Sequence, residues 1–353
     1  MEHDKPFASI ALVLPYFGTF PNYFPLFLES CRNSPTVDWL IYTDSDAAYD
    51  YPENVKVHKT TLTDFRARLQ ESFDFPICLE TPYKLCDFKA TYGETLHSDL
   101  KEYDFWGHCD CDMIYGNIRN FITPEVTEKY TRILNSGHTI LYRNIPEVNA
   151  YYRTQSYIDY KTVLSSPKSF SFDEWPGLSE CWRRDGNPCY GELCFDDILI
   201  MAEDFRPVQL LPGGYVGPYH DQPCEAGRFR KMRNIGYDFH DGILERCWVQ
   251  KGEVHREEVM YTHFQKRKMQ VDAALTESAL RRFVIIPNRF IPHTELTAEK
   301  LRSLAPTNRS MATTKSQFVF WALILKREIQ GIGKPDYASC SVIKNLMNPS
   351  PKK

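Results

Sequence analysis

Four short apolar runs, interleaved with helix-forming segments, restrict the fold of this chain more than any other feature of its sequence. They occupy residues 8–14, 37–42, 55–58 and 103–107. The first ends at Pro15-Tyr16-Phe17-Gly18 and the second at Thr43-Asp44-Ser45-Asp46. Helical patterns fall at residues 23–31, from Thr63 to Ser72 with Asp64 in an acidic first turn, and over 83–98, continuing towards Glu102. Buried strands alternating with helices at this spacing predict an α/β fold around a mostly parallel sheet.

The second half is less regular. Residues 139–142 read as a strand, 148–164 as a helix, 165–188 as a loop-rich stretch and 194–203 as a helix. Strand-like pieces follow at 207–211, 247–250, 259–264 and 283–286. No internal repeat or low-complexity tract interrupts the chain. With 353 residues, one large domain in two halves (1–130 and 131–300) and an extension (301–353) is the expected organisation. In that extension the apolar run 318–325 is too short to span a bilayer, and residues 326–353 hold six Lys/Arg against two acids. The segment reads either as a docked helix with a basic tail or as a peripheral membrane foot, with Trp321 at the head groups.

Composition excludes some partners. A net charge of −4 at pH 7 gives no bias towards nucleic acid. The polar start and the brevity of the run at residues 10–14 give no secretion signal, and the eleven cysteines contain no C-x-x-C pair. Reduced thiols in the cytoplasm are expected.

Chemistry concentrates at Asp110-Cys111-Asp112, directly after the fourth apolar run. Alternate residues of an extended chain share a face, so the two carboxylates can grip one hard divalent cation, Mn²⁺ or Mg²⁺. Such an ion neutralises a diphosphate leaving group, and strand C-termini of α/β sheets are where ligands sit. His108, Cys109 and Cys111 invite a zinc reading, but no second ligand pair appears at a matching spacing.

Two long segments carry a resemblance. They are Pro82-Tyr83-Lys84-Leu85-Cys86-Asp87-Phe88-Lys89-Ala90-Thr91-Tyr92-Gly93 and Asp104-Phe105-Trp106-Gly107-His108-Cys109-Asp110-Cys111-Asp112-Met113-Ile114-Tyr115-Gly116-Asn117-Ile118, with weaker support from Phe172-Asp173-Glu174 and His263-Phe264-Gln265-Lys266-Arg267. Together they resemble a bacterial family of GT-A-like glycosyltransferases from polysaccharide loci, long catalogued as a domain of unknown function. The likeness covers residues 8 to about 270.

The resemblance implies a GT-A-like fold, a UDP-sugar donor (of galactose type), and a glycan or lipid-linked glycan acceptor. It places the nucleotide base at Pro15, Tyr16 and Phe17, and the uracil edge at Asp44, for which a turn aspartate is the plain alternative. Lys84, Asp87 and Lys89 lie just before the metal strand. A lysine there could meet phosphate and an acid could order ribose, or all three could form a solvated ion-paired face. His263 stands where a late third metal ligand falls in such enzymes, with Lys266 and Arg267 beside the diphosphate. Asp112 is the expected direct ligand, and Asp110 a partner of ribose or of a metal-bound water. For a catalytic base, Asp173 or Glu174 comes first, in an aromatic loop with Trp175, and Asp197 second. Trp182, Tyr190 and Tyr215 complete a possible acceptor platform, and Gly213-Gly214 and Gly217-Pro218 a closing loop. A nucleotidyltransferase and a non-enzymatic glycan-binding module are the rivals. The first usually carries a Gly-rich phosphate loop after its first strand, which Pro15-Tyr16-Phe17-Gly18-Thr19 lacks.

Overall fold

The computed structural model describes residues 6–173, 177–192, 194–199, 202–208, 231–265, 267–276 and 280–307. Glu174, Trp175, Tyr215, Lys266, the Gly213–Pro218 loop and the 318–325 run lie outside the described residues.

The first third of the chain supplies β1 (Ile10–Pro15), β2 (Val37–Thr43), β3 (Val55–Lys59), β4 (Phe105–Cys109) and the short β5 (Met113–Tyr115). A hairpin follows, β6 (Arg132–Ser136) and β7 (Thr139–Arg143). The leading sheet runs β3-β2-β1-β4-β7-β6, its first four strands parallel and β7 antiparallel to both of its neighbours. This is the mixed α/β fold expected. Residues beyond 130 contribute β6 and β7 to it, so both halves of the chain share one sheet.

Both faces of this sheet are covered, as parallel strands require. Ala11, Val13, Leu40, Tyr42 and Trp106 pack into one core, and Ile10, Leu12, Trp39, Ile41 and Phe105 into the other. Helix Phe24–Arg32 connects β1 to β2, and helix Leu62–Gln70 follows β3. The second starts slightly earlier than expected because Thr61 caps it, accepting the Asp64 N–H at 3.1 Å and donating its hydroxyl to the Asp64 carboxylate at 2.7 Å. At the centre, a Cβ on Gly107 would lie 2.3 Å from the Ile140 carbonyl oxygen, so the β4–β7 pairing needs glycine there.

The second half departs further from expectation. The 148–164 helix is three short pieces, Pro146–Asn149, Tyr151–Thr154 and Tyr160–Ser165. The described residues of the 194–203 segment, 194–199 and 202–203, are not helical. Asp196–Asp197 form β8, parallel to β12 (Tyr261–His263), and β12 pairs on its other side with β5. Between them in sequence lie β9 (Arg233–His240), β10 (Ile243–Gln250) and β11 (Glu253–Glu258), and after them β13 (Gln270–Val271), β14 (Arg282–Ile286) and β15 (Arg289–Pro292). These six form a second sheet, β11-β10-β9-β14-β15-β13. Its hairpins turn at Asp241-Gly242 and Lys251-Gly252, all four residues having positive φ, the geometry that matches strand twist. Helix Ala298–Leu304 covers its outer face, where Leu301 is fully buried. No described helix is long and apolar enough to cross a membrane.

The expected helix over 83–98 is also broken. Residues Pro82–Asp87 and Lys89–Thr91 are 3₁₀ turns, followed by two single α turns, Tyr92–Thr95 and His97–Leu100. With three residues per turn, Lys84 and Asp87 eclipse on one side. That side faces inward. Lys84 Nζ is 2.7 Å from Asp87 and donates to the Val163 and Lys168 carbonyls, while Asp87 accepts the N–H groups of Phe170 and Phe172. Both side chains are 2% exposed or less. The pair fastens the 163–172 segment to the cleft wall and does not enter the cleft. Asp87→Ala leaves a buried ammonium unpaired, and we expect it to lower unfolding stability by about 3–5 kcal/mol in urea denaturation. A nucleotide-contact role for Asp87 would instead leave stability intact and weaken ligand binding.

Candidate active site

A cleft of about 1040 Å³ opens at the carboxyl ends of β1 and β4, walled on the other side by the sheet β5-β12-β8. Strand β4 ends at Cys109, and the turn 110–112 that leads into β5 sets Asp110 and Asp112 at the rim of the cleft. Pairing of β5 with β12 sets Met113 opposite His263, and the Phe264 N–H donates to the Asp112 carbonyl at 2.9 Å. The result brings His263 Nε2 to 3.3 Å from an Asp112 carboxylate oxygen. One ligand atom from each of Asp110, Asp112 and His263 lies within 4.8 Å of the others.

Asp197 stands behind His263. Its carboxylate oxygens lie 2.8 Å from His263 Nδ1 and 2.6 Å from Gln265 Nε2, whose N–H donates to it. The neighbouring Asp196, on the opposite face of the same short strand, accepts from Tyr237 at 2.7 Å and Arg246 at 2.5 Å in the second sheet. Partners on both sides draw these two acids into extended backbone, which is why no helix forms there. Asp197 therefore orients an imidazole and is not placed as a base at an acceptor.

The donor set fits a divalent ion. It joins two hard carboxylates to one imidazole, and the second imidazole nitrogen is held by a buried acid, the arrangement that fixes a metal-binding tautomer. The electrostatics agree. Burial opposes charge on His263, but the Asp112 and Asp197 carboxylates outweigh it and raise its pKa to about 10. A positive charge is wanted where the ion would sit.

Lys89 reaches the cleft from its buried wall, and the exposed Lys268 lines it as well. The Lys89 ammonium lies 3.0 Å from Asp110 and 3.6 Å from Asp173, and it donates to the Gly137 carbonyl at 2.6 Å. Burial opposes its charge, and the two carboxylates hold its pKa well above the ordinary lysine value regardless. His138 packs on His263 with ring centres 4.4 Å apart and bonds Tyr261 through Nδ1. Burial, aided by His263, lowers its pKa to about 3 and keeps it neutral.

The other expected contacts divide. Pro15, Tyr16 and Phe17 line the cleft, as does Tyr83, 59% exposed at its lip. Asp44 accepts the Gly18 N–H at 2.8 Å and so ties down the loop after β1. Arg267 is 6% exposed, and its terminal nitrogens donate to the carbonyls of Leu199 and Ala202 and to Asn288, which commits them to the loop before it and not to a phosphate. Trp182 is buried against Tyr151 with its indole N–H on the Pro188 carbonyl, and Tyr190 bonds Glu192, so neither lines the cleft. A second acid–histidine group, Asp238, His240 and Glu245, lies in the second sheet, where Arg256 already bridges the two acids at 3.0 and 2.9 Å. Lys89 and Tyr92, from one stretch of consecutive turns, meet His138 from the β6–β7 hairpin. Of these, only Lys89 was marked by the sequence pattern.

No curated protein matches the chain by sequence. Among solved structures, the apo crystal structure of mouse xyloside xylosyltransferase 1 is similar over 55% of this chain and 88% of that one, at 8% identity and a TM-score of 0.31. Residues 12–294 match a sequence profile described as a family of unknown function, DUF6625, and the chain belongs to that family.

Proposed function

We propose that this chain is a metal-dependent glycosyltransferase of GT-A type, which moves a sugar from a UDP-sugar, of galactose type, to a glycan or lipid-linked glycan. The observation that carries the reading is the group Asp110, Asp112 and His263 at the mouth of a large cleft, at the carboxyl ends of parallel strands.

Asp112 and His263 would hold the ion, Mn²⁺ or Mg²⁺, with Asp110 at the rim towards ribose. When bound, the cation supplies charge neutralisation for a diphosphate leaving group. Asp197 keeps His263 in the tautomer that presents Nε2 to the cleft, and Gln265 in turn steadies Asp197. The aromatic wall of Tyr16, Phe17 and Tyr83 suits a flat base. Asp173 already holds the buried Lys89 ammonium, which suits a binding role better than proton removal. A nucleotidyltransferase is the weaker reading, because no Gly-rich basic loop follows β1. We take the protein to work in the cytoplasm, with the basic 326–353 segment as either a tail or a contact with the inner membrane surface.

Two outcomes are expected. Mn²⁺-dependent hydrolysis or transfer from a UDP-sugar should fall at least about a hundredfold in Asp112→Ala with the circular dichroism spectrum unchanged, and EDTA should abolish it in the wild type. Undiminished turnover in that variant would remove Asp112 from the metal site. Asp197→Ala should weaken Mn²⁺ binding by roughly 10–100-fold in calorimetric titration, since the histidine it orients loses its support. If Asp197 were instead the base, turnover would collapse while Mn²⁺ affinity held.

A further inference from the structure

We propose that the floor of the cleft is a subsite for a neutral polyhydroxylated ring, the sugar of the donor, and that Lys89 belongs to this floor and not to a phosphate site. The inference rests on the glycosyltransferase reading and deepens it.

Four buried polar groups form the floor, the Lys89 ammonium, the Asp173 carboxylate, the Tyr92 hydroxyl and His138 Nε2, and the Asp110 carboxylate reaches Lys89 from the rim above. Lys89, Tyr92, His138 and Asp173 are each at least nine-tenths buried. Among the described residues one ammonium faces two carboxylates here, which leaves this part of the cleft net negative. A diphosphate placed on it would be repelled, whatever Lys89 offered. A nucleobase finds its flat apolar surface elsewhere, on Tyr16, Phe17 and Tyr83.

The floor does match hydroxyl groups, because each donates and accepts. They can accept from Lys89 and donate to Asp110 or Asp173. The Tyr92 hydroxyl and His138 Nε2 have no hydrogen-bond partner in the protein although both are buried. Such orphaned groups are costly and call for a ligand or water. His138 Nδ1 is occupied by the Tyr261 hydroxyl at 2.9 Å, which leaves Nε2 as its open side. The Tyr92 hydroxyl lies within electrostatic reach of Lys89, Asp173 and Asp110, so the orphaned and the charged atoms share one region.

The test compares UDP with UDP-galactose, UDP-glucose and UDP-N-acetylglucosamine by calorimetry on the full chain with Mn²⁺ present. One sugar nucleotide should bind the wild type roughly fivefold more tightly than UDP. Tyr92→Phe and Asp173→Asn should each reduce that advantage about fivefold while leaving UDP affinity within about twofold. Tyr142→Phe removes a hydroxyl equally buried and unpartnered but outside the cleft, and it should change neither affinity. Equal losses for UDP and UDP-sugar would overturn the floor assignment, as would a wild type that binds UDP with no preference for any sugar nucleotide. This last comparison needs no variant to fold. A wild type that binds no uridine nucleotide at all would sink the glycosyltransferase reading itself, a result distinct from failure of the floor alone.

Discussion

The site depends on one short pairing, β5 against β12. Each strand has three residues, yet their ladder places Asp112 beside His263, which lies far downstream in the sequence. Strand β8 joins the other edge of β12 in parallel and delivers Asp197 to the back of the same histidine. Side chains alternate across such a strip. Hence Asp197 turns to the metal group while Asp196 turns to Arg246 and Tyr237, and this tiny sheet joins the second sheet to the cleft. A slip of one residue in β12 would send His263 to the opposite face and leave Asp112 without its imidazole.

Charge explains why the cleft suits a cation at one end and a neutral ring at the other. Asp110, Asp112, Asp173 and Asp197 all face it, and the opposing charges among the described residues there are Lys89, the high-pKa His263, the exposed Lys268 and Arg267, whose guanidinium is turned to backbone carbonyls. Asp112 and a neutral His263 would hold the ion, whose charge would balance the carboxylates around it. The diphosphate would then follow the ion to the rim. Beneath it, the charge of Lys89 is balanced by its two carboxylates, so no further anion is drawn inward.

The leading sheet and the carboxylate pair were legible in the sequence because both are local. A buried parallel strand is an uninterrupted apolar run, and Asp-x-Asp after such a run needs no distant partner to be noticed. The second sheet was largely hidden. Strand β9 reads Arg-Asn-Ile-Gly-Tyr-Asp-Phe-His, polar on alternate residues, and only its turn, Asp241-Gly242, bears a hairpin signature. Lys84 and Asp87 misled for a different reason: an i,i+3 ion pair looks the same in sequence whether it is solvated or buried. Asp197 carried a helix-start signature, and nothing local showed that strand β12, far downstream, would recruit it into a ladder. Tyr92 and His138 are marked only by their surroundings, which exist once the chain has folded.

The cysteines that interleave with the acids answer to the same alternation. Cys109 and Cys111 point opposite to Asp110 and Asp112, into the core that holds Ile10, Phe24 and Trp39, where they are 1% and 5% exposed. Burial raises both thiols well above their ordinary pKa and keeps them protonated. No described metal group includes a cysteine, and His108, on the face opposite Cys109, is buried with both ring nitrogens unpartnered. A zinc site would need these thiols and this imidazole on one side of the strand, and a two-residue period forbids it. What the cleft needs from positions 109 and 111 is a small apolar side chain that packs tightly under the sheet. That packing holds the backbone still while the residues between and after them, Asp110 and Asp112, reach outward to the ion.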